Sequence, residues 1–391
     1  MSATICSARQ PFDLVADFEV VTLDNLSDLE ARAKAFCHAE VKGDLFTTLA
    51  WFQNLATRGL EPHFERLWVV VTHVRNGTSF CLPLLKNPRS TAAVFGPVVT
   101  SLSNYYSSLY GPIGDTDHLS VPALRAAIVH LRRRHQPCAV IDLQPLDIDS
   151  CFHIMMQEAL QAEGFWIDRY FCFGNWHLKV DKRSYATYYP SIPSRLRNTI
   201  KRGRKKLDAA GVWSLEIHKA IGPSLDQAIA DFVAIYGQSW KVAEPFPEFV
   251  PGLCRMAAEH GWLRLGVLRF EERPIAAQLW LVKDHHALIY KLAYDEEYKR
   301  FSAGSVLSAE MMRQAIDDEG VVDVDYLTGD DGYKVDWMSH RRERRGLVAF
   351  DPRSWQGLAS AAKHYAGRAW ARRRSALTVQ APAAATADSE A

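Results

Sequence analysis

The stretch from residue 323 to residue 337, DVDYLTGDDGYKVDW, gathers side chains that can move protons or hold charge. Asp325 can take a proton from an amine, and Tyr333 can give one to a leaving group. Lys334 and Asp330 can hold charged groups of a substrate. The stretch therefore suggests acid–base catalysis of a group transfer. The alternative is a solvated strand edge with turn-forming aspartates and with Tyr333 packed against a sheet.

A turn of small residues, Ser302-Ala303-Gly304-Ser305, directly precedes an apolar-periodic helix. The first amides of a helix have no partner within it, and they carry partial positive charge. A glycine there lets a phosphate approach closely. Arg300 lies just upstream and can add charge, while Tyr294 and Tyr298 bracket the end of the preceding strand as alternative proton donors. We expect an anion site here, and the alternative is an ordinary serine-capped helix.

These residues lie in the second of two similar arrangements of predicted elements. Two hairpins are indicated, one over Leu67–Leu85 with an Asn76-Gly77 turn and one over Leu263–Leu281 with a turn at Glu271-Glu272-Arg273-Pro274. Around each hairpin the order strand, helix, helix, hairpin, strand, helix, strand is predicted. A repeat of this kind indicates two α/β units of one design, although two unrelated α/β domains would give a similar pattern. The first unit's counterpart of the small-residue turn, Leu109–Ser120, carries a proline and two acids, so we expect it to shape a cleft rather than to hold a phosphate.

Between the two units a basic amphipathic helix is predicted over 193–211, with Ser194 as its N-cap and Gly211 after its end. Its seven cations are Arg195, Arg197, Lys201, Arg202, Arg204, Lys205 and Lys206. A solvated face is one interpretation of such a run. The other is contact with an anionic partner, such as a nucleotide-linked sugar, an acidic polysaccharide, a phospholipid or tRNA.

Composition and cysteine pattern narrow the class of protein. The 391 residues are 48% hydrophobic, which is typical of globular domains. The net charge is +1, so the protein has no overall positive charge that would attract nucleic acid or a membrane surface. Seven scattered cysteines form no C-x-x-C pair, and the histidines form no H-x-x-x-H pattern, so neither a disulfide framework nor a metal site is predicted. With no secretory signal and no apolar run of about 20 residues, we expect a cytoplasmic protein without a transmembrane segment.

Several short segments resemble the GNAT acyltransferases, and more narrowly a branch associated with cellulose and exopolysaccharide biosynthesis (CelD/BcsL-like), which is similar to the Fem peptidyltransferases. The segments are SRLR (194–197), AAQ (276–278), YKLAYD (290–295), SAGSVL (302–307) and DYLTGDDGYKVDW (325–337). The commoner GNAT pattern is Arg/Gln-x-x-Gly-x-Gly/Ala, whereas here Gly304 is followed by Ser305 and Val306.

The resemblance implies an α/β fold of tandem GNAT-like units. Each would have a mixed, mostly antiparallel sheet flanked by helices. We expect a degenerate unit over 1–180, a catalytic unit over 181–375 and a disordered tail over 376–391. Acetyl-CoA or another acyl-CoA would be the co-substrate, held at Arg300 and residues 302–305. Asp325, Tyr333, Tyr294 and Tyr298 would be the catalytic candidates, and Asp330, Lys334, Gln278 and Arg195 would bind the acceptor.

The expected reaction is direct transfer of an acyl group from a CoA thioester to an amine, possible without a covalent nucleophile when both substrates are held together. It requires that the amine lose a proton, that the thiolate be stabilised and that the developing oxyanion meet a hydrogen-bond donor. The acceptor would be a small molecule or a glycan amine such as an amino sugar. Two alternatives stay open: a Fem-like transferase that takes amino acids from charged tRNA, which is the case in which nucleic acid would bind, and a non-catalytic scaffold or sensor.

Overall fold

The computed structural model describes residues 17–33, 43–87, 98–114, 116, 119–134, 138–239 and 241–379. The elements of the first half are β1 (Phe18–Leu23), α1 (Leu26–Ala33), α2 (Leu49–Arg58), β2 (Glu65–His73), β3 (Ser79–Asn87), β4 (Val98–Ser101), β5 (Ile113–Gly114), α3 (Val121–Arg134), β6 (Val140–Asp147), α4 (Cys151–Ala162) and β7 (Trp166–Lys179).

The elements of the second half are α5 (Tyr185–Tyr188), α6 (Ser194–Ala210), β8 (Trp213–His218), α7 (Pro223–Gln238), α8 (Phe249–Glu259), β9 (Leu263–Phe270), β10 (Arg273–Lys283), β11 (His286–Tyr294), α9 (Ala303–Arg313), β12 (Asp323–Asp325), β13 (His340–Phe350) and α10 (Trp355–Val379). The short helices without a label are Leu45–Thr47, Tyr189–Ser191, Glu296–Phe301 and Lys334–Asp336, with a π-helical turn at Gln314–Asp318.

The predicted repeat is confirmed by the order of the elements. The first unit runs β1, α1, α2, β2, β3, β4, α3, β6, and the second runs β8, α7, α8, β9, β10, β11, α9, β12. In both units the strand after the hairpin is parallel to the next one, β4 to β6 and β11 to β12. A parallel pair needs a crossover, and α3 and α9 supply it.

All strands join one sheet in the order β1-β2-β3-β4-β6-β13-β7-β12-β11-β10-β9-β8, with β5 paired to β3. The two units exchange their last strands: β13 lies beside β6, and β7 lies beside β12. β7 and β13 also pair with each other along most of their length. The sheet is therefore continuous across the unit boundary predicted at residue 180, and the centre of the molecule is built from both halves.

A core covers each face of the second half of the sheet. On one face, α7 and α8 pack through side chains such as Phe232 and Phe249. On the other face, α6 and α9 pack through side chains such as Ile200 and Leu307. The predicted buried stripe of α6 is confirmed, since Leu196, Ile200, Gly203 and Leu207 are its buried residues.

Turn chemistry explains the hairpins. Glu271 and Glu272 both have positive φ, 48° and 64°, as a two-residue hairpin turn requires, so the second turn is tighter than the four residues predicted. Ser194 is not the N-cap of α6. Pro193 holds that position, and its carbonyl accepts from the amides of Leu196 and Arg197 at 3.0 and 3.1 Å.

The C-terminal helix α10 reaches Val379, into the segment predicted to be a disordered tail, and residues 380–391 lie outside the described residues. Within the described residues Cys138, Cys151, Cys172 and Cys254 are free thiols, while Cys6 and Cys37 lie outside them. Among the helices that the structure describes, none combines the length and the apolar character needed to cross a bilayer.

Candidate active site

The strands β11 and β12 separate in the middle of the second unit. They pair only over His286–Leu288 and Asp323–Asp325, after which β12 ends and β11 continues to Tyr294. A gap therefore opens at the carboxyl ends of two parallel strands, where α/β sheets bind ligands. The two predicted catalytic regions, the end of β11 and the segment after β12, form the two sides of this gap.

A β-bulge in β11 lies at the start of the gap. Leu279 of β10 pairs with Lys291, and the next residue, Trp280, pairs with Ile289, so Tyr290 is the extra residue. Such a bulge leaves one residue unpaired in the ladder and re-aims the side chains around it. As a result, Tyr290 and Lys291 both contact residues on the α7–α8 face, through Tyr106 and Glu244 respectively.

The gap holds a cavity of about 200 Å³, which we call the splay cavity. Its lining comes from the bulge of β11, from the segment after β12, from the loop before α8 and from the first unit. The lining residues are Tyr105, Tyr106, Ser108, Lys241, Ile289, Tyr290, Lys291, Leu292, Tyr326, Leu327, Thr328, Asp331, Tyr333 and Lys334. Of the predicted site residues, Tyr333 and Lys334 line it directly.

An ion pair dominates the α7–α8 side of the splay cavity. Lys291 Nζ lies 2.6 Å from Glu244 Oε1, and both side chains are only 15% exposed. The Tyr106 hydroxyl donates to Glu244 Oε2 at 2.7 Å, and Lys291 Nζ lies 5.2 Å from the Tyr236 ring centroid. Burial opposes ionisation of Glu244, but the hydrogen bond and charge of Lys291 outweigh it, so the pKa of Glu244 lies below its usual value.

Lys241 adds a group that titrates near neutral pH. Burial, together with the charges of Lys291 and Lys334, lowers the pKa of Lys241 to about 8. A lysine of that pKa can release or take up a proton at physiological pH. The splay cavity thus contains a lysine able to exchange protons with an amine, and Glu244 contacts its lining through Lys291 and Tyr106.

The far side of the splay cavity is held together by Lys334. This lysine is buried, and its Nζ donates to the carbonyl of Thr328 at 2.5 Å and lies 3.1 Å from Asp331. Lys334 therefore fixes the segment after β12. Tyr333 is 46% exposed, and burial of its hydroxyl together with the charge of Asp331 raises the pKa of Tyr333.

The predicted anion site begins α9 beside the end of β11. Ser302 has left-handed backbone angles (φ 52°, ψ 38°), and helical hydrogen bonding starts with the amide of Val306 donating to the Ser302 carbonyl. The amides of residues 303–305 precede that first bond, and no side chain among the described residues caps the helix. The three amides are therefore available to an anion.

Gln278 lies under the start of α9. It is 1% exposed; its Nε2 donates to the Gly304 carbonyl at 3.0 Å and to Ser308 Oγ at 2.7 Å, and its Oε1 accepts from Trp280 at 2.9 Å. These hydrogen bonds fix the distance between α9 and β10. The structure thus places Gln278 as a support for the helix start, outside the lining of the splay cavity.

The other residues predicted near the anion site have different surroundings in the structure. The ring of Tyr294 is the neighbour of Gly304, since a Cβ at Gly304 would lie 3.4 Å from Tyr294 Cδ1. Tyr298 packs against Phe301, and Arg273 lies over the Tyr298 ring at 5.1 Å. Arg300 is exposed at the turn before α9. Tyr294 is therefore the tyrosine adjacent to the helix start.

Asp325 belongs to a buried network. Its Oδ1 accepts from Asn175 at 2.5 Å and from the Leu327 amide at 2.6 Å, and its Oδ2 pairs with Arg342 at 2.5 Å. Leu327 has a positive φ of 56°, which is strained for a leucine, and Asp325 holds it there. Asp325 lines a separate cavity of about 970 Å³, so its placement suits orientation of the segment after β12.

Asp330 and Arg195 are engaged outside the splay cavity lining. Asp330 forms two bonds to Arg341, at 2.8 and 2.6 Å. Arg195 pairs with Asp336 at 2.6 Å, and its side chain is 73% exposed. The structure therefore does not bring these two predicted substrate residues together.

Sequence reasoning missed Glu244, Lys241, Tyr105 and Tyr106 as parts of the site. Tyr105 and Tyr106 come from the first unit, and the other two come from the connection between α7 and α8. Their only local signal is two adjacent tyrosines and a charged, proline-containing loop. Lys291 lies in the YKLAYD segment (290–295), whose sequence alone indicates no role for it.

A family model matches the part of the chain that contains most of this site. Residues 194–335 match the family model for the acetyltransferase (GNAT) domain. No curated protein sequence matches the chain. The GNAT match covers α6 through the Tyr333–Lys334 turn, so it includes the start of α9 and the part of the splay cavity that the second unit lines, but not Tyr105, Tyr106 and Ser108.

Solved structures similar to the chain include FemX, with a TM-score of 0.54 at 12% identity over 84% of this chain and 96% of FemX. A conserved protein of unknown function from Bacteroides thetaiotaomicron gives 0.52 at 12% identity over 85% of this chain and 100% of that one. A C-terminal DUF2156 domain from Agrobacterium fabrum gives 0.51 at 10% identity over 86% and 97%. At these identities the likeness shows the fold.

The expected fold class is thereby confirmed: an α/β protein of tandem GNAT-like units. The resemblance to GNAT acyltransferases is confirmed for residues 194–335, and the relation to Fem proteins holds for the fold. The cellulose and exopolysaccharide branch, the domain boundaries and the roles of individual site residues stay predictions.

Proposed function

We propose that the chain is an acyl-CoA-dependent N-acyltransferase, most simply an acetyltransferase, acting on an amine in the splay cavity. The observation that carries this proposal is the position of the α9 start: its three available amides lie at the end of β11, the strand whose bulge lines the cavity. One continuous path along β11 therefore joins an anion site to a polar cavity with proton-exchanging groups.

The amides of Ala303, Gly304 and Ser305 would hold the pyrophosphate of CoA. Gly304 fits this role, because an added Cβ would meet only Tyr294, at ordinary contact distance. Packing within the protein therefore does not require glycine there, whereas close approach of a phosphate does. The acyl-CoA would supply the activated thioester, and CoA would leave as the thiol.

In the splay cavity the chain's own groups would serve the amine. The bulge leaves Tyr290 without a partner in the register of β10, so its backbone N–H would be the candidate donor to a developing oxyanion. The pKa of Lys241 is about 8, so its neutral form can take the proton of the attacking amine, while Glu244 holds Lys291 beside it. Tyr333, at the cavity edge, is the candidate donor to the leaving thiolate.

The acceptor we propose is a small polar amine, such as an amino sugar of envelope or polysaccharide synthesis. The hydroxyls of Tyr105, Ser108 and Thr328 and the charges of Lys241 and Asp331 line the cavity, and they suit a ligand rich in hydroxyl groups. The resemblance to the branch associated with cellulose and exopolysaccharide biosynthesis is a second reason to propose an amino sugar as the acceptor.

Calorimetric binding of acetyl-CoA tests the proposal. We expect wild-type protein to bind it and Gly304→Asp to lose at least roughly tenfold in affinity, because the carboxylate occupies and repels the phosphate position. The matched control is Gly367→Asp on α10, an exposed glycine with no atom within 4 Å of an added Cβ, and it should bind like wild type. If wild type binds neither acetyl-CoA nor longer acyl-CoAs, or if Gly304→Asp binds as wild type does, the proposal is wrong.

A further inference from the structure

The basic helix α6 lies against the start of α9. Gly203 faces the turn before α9 so closely that an added Cβ would collide with the Phe301 carbonyl oxygen and lie 3.0 Å from Val306 Cγ2. Lys206 Nζ donates to the Arg300 carbonyl at 3.0 Å. The glycine that weakens α6 as a helix thus permits its close approach to the proposed pyrophosphate site.

One face of α6 carries a row of cations beside this site. Its cations are Arg195, Arg202 and Lys206, with Thr199 between the first two. The four residues are spaced by four, three and four, which places them on one side of a helix. Lys206 contacts the turn before α9, and Arg195 contacts Asp336 next to the Tyr333–Lys334 turn. The row therefore spans the distance between the anion site and the edge of the splay cavity.

The charges in this row differ in how far they are neutralised. Within the described residues, the ion pairs of α6 are made by Arg195 with Asp336 and by Arg204 with Glu310. Arg202 is exposed, and its Nε donates to the Asn198 carbonyl of its own helix at 3.2 Å. The Arg202–Lys206 end of the row therefore presents two full positive charges close to the α9 start.

CoA carries a second phosphate group whose charge the α9 amides cannot match. Its ribose bears a 3′-phosphate one sugar ring away from the pyrophosphate, with a charge near −2 at neutral pH. A helix start offers roughly half a positive charge, and the pyrophosphate would use it. The 3′-phosphate needs cationic side chains at the side of that helix start.

We infer that Arg202 and Lys206 bind the ribose 3′-phosphate of the acyl-CoA, so that α6 selects the 3′-phosphorylated cofactor. This inference rests on the proposed function. It gives the basic helix a ligand of defined chemistry, and it predicts that acyl donors lacking the 3′-phosphate bind poorly.

The test compares acetyl-CoA with 3′-dephospho-acetyl-CoA by calorimetry. Wild type should prefer acetyl-CoA by roughly tenfold to hundredfold, as expected for charge-assisted bonds to one phosphate. Arg202→Gln combined with Lys206→Gln should reduce this ratio to about one. The control, Lys201→Gln with Lys205→Gln, removes the same charge from the same helix away from this row and should keep the ratio.

A double variant that conserves both charges controls for misfolding. Arg202→Lys combined with Lys206→Arg keeps both cations and should retain most of the preference, with thermal unfolding recorded for every variant. If wild type binds both cofactors equally, or if both glutamine pairs lower the ratio to the same extent, the inference is wrong while the proposed function stands. If wild type binds no acyl-CoA, both fail.

Discussion

The connections that follow the fourth strand of each unit have taken opposite roles. In the second unit, β11 is joined to α9 by a short helical turn, Glu296–Phe301, that leads directly to the helix start. In the first unit, β4 is only four residues long, and the chain then passes Tyr105, Tyr106 and Ser108 before it reaches α3. These three residues line the splay cavity of the second unit.

The two crossover helices also begin differently. At α3, the Ala123 amide donates to Ser120 Oγ at 3.4 Å, the Leu124 amide donates to the Ser120 carbonyl, and Pro122 has no amide hydrogen to offer. At α9, no described side chain caps the amides of residues 303–305. One helix start is thus closed to anions and the other is open. A repeated fold can therefore divide its labour: the second unit offers the proposed cofactor site, and the first unit supplies a wall of the splay cavity.

The largest effect is expected from Glu244→Ala. This substitution removes the carboxylate that links Tyr106 of the first unit to Lys291 of the second unit. It would leave Lys291 charged and buried without its partner, so we expect a loss of about 3 kcal/mol in unfolding free energy. Urea denaturation measures this loss. Asp318→Ala, which removes an exposed partner of Arg313, should cost less than about 1 kcal/mol. Equal losses for the two variants would contradict the account.

A pair of glycine substitutions separates packing from binding. Gly203→Ala should destabilise the protein by about 1–3 kcal/mol, because its Cβ meets the backbone of the turn before α9. Gly304→Ala should leave stability unchanged or raised by about 0.5–1 kcal/mol, since helices favour alanine, while acetyl-CoA binding weakens. Thermal unfolding and calorimetry on both variants distinguish the two effects. Tight acetyl-CoA binding by Gly304→Ala would argue against close phosphate approach.

Smaller effects of opposite sign are expected at the two helix starts. Ser120→Ala removes the cap of α3 and should cost about 0.5–1 kcal/mol without changing acetyl-CoA affinity. Ser302→Gly relieves a left-handed serine before α9 and should stabilise by about 1 kcal/mol. Denaturation curves measured with and without acetyl-CoA check both. A change of acetyl-CoA affinity in Ser120→Ala would mean that the first helix start also binds the ligand.

The smallest effect on stability is expected at His286, at the end of β11 that pairs with β12 and lies away from the splay cavity. The hydrogen bond to Asp323, at 2.9 Å, raises the pKa of His286 above its usual value. The stabilisation is therefore fully present below the unfolded pKa of about 6.5 and is lost as pH rises through the higher folded value. The stability difference between wild type and His286→Gln should be larger at about pH 5.5 than at about pH 9. A difference that does not change with pH would contradict this assignment.

Local chemistry made much of the fold predictable. The turns at Asn76-Gly77 and Glu271-Glu272 fixed the hairpins, and apolar spacing fixed the buried face of α6. The small-residue turn before α9 pointed to the available amides. Each of these signals lies within one element or between adjacent ones.

The rest depends on contacts between distant parts of the chain. Nothing local indicates that β7 and β13 exchange between units, because strand pairing partners are set by the whole sheet. The same holds for Asp325, whose partner Arg342 comes from the exchanged strand, and for Glu244, which meets Lys291 only after α7 and α8 have packed. The prediction of Asp325 as a base rests on spacing alone and stays a prediction.

Hydrogen exchange of backbone amides with and without acetyl-CoA tests the division between the two units most directly. The account predicts added protection at 288–294 and 303–308 in the second unit, and none at 121–126, the start of the first unit's crossover helix. Protection at 121–126 equal to that at 303–308, or protection at neither, would contradict it.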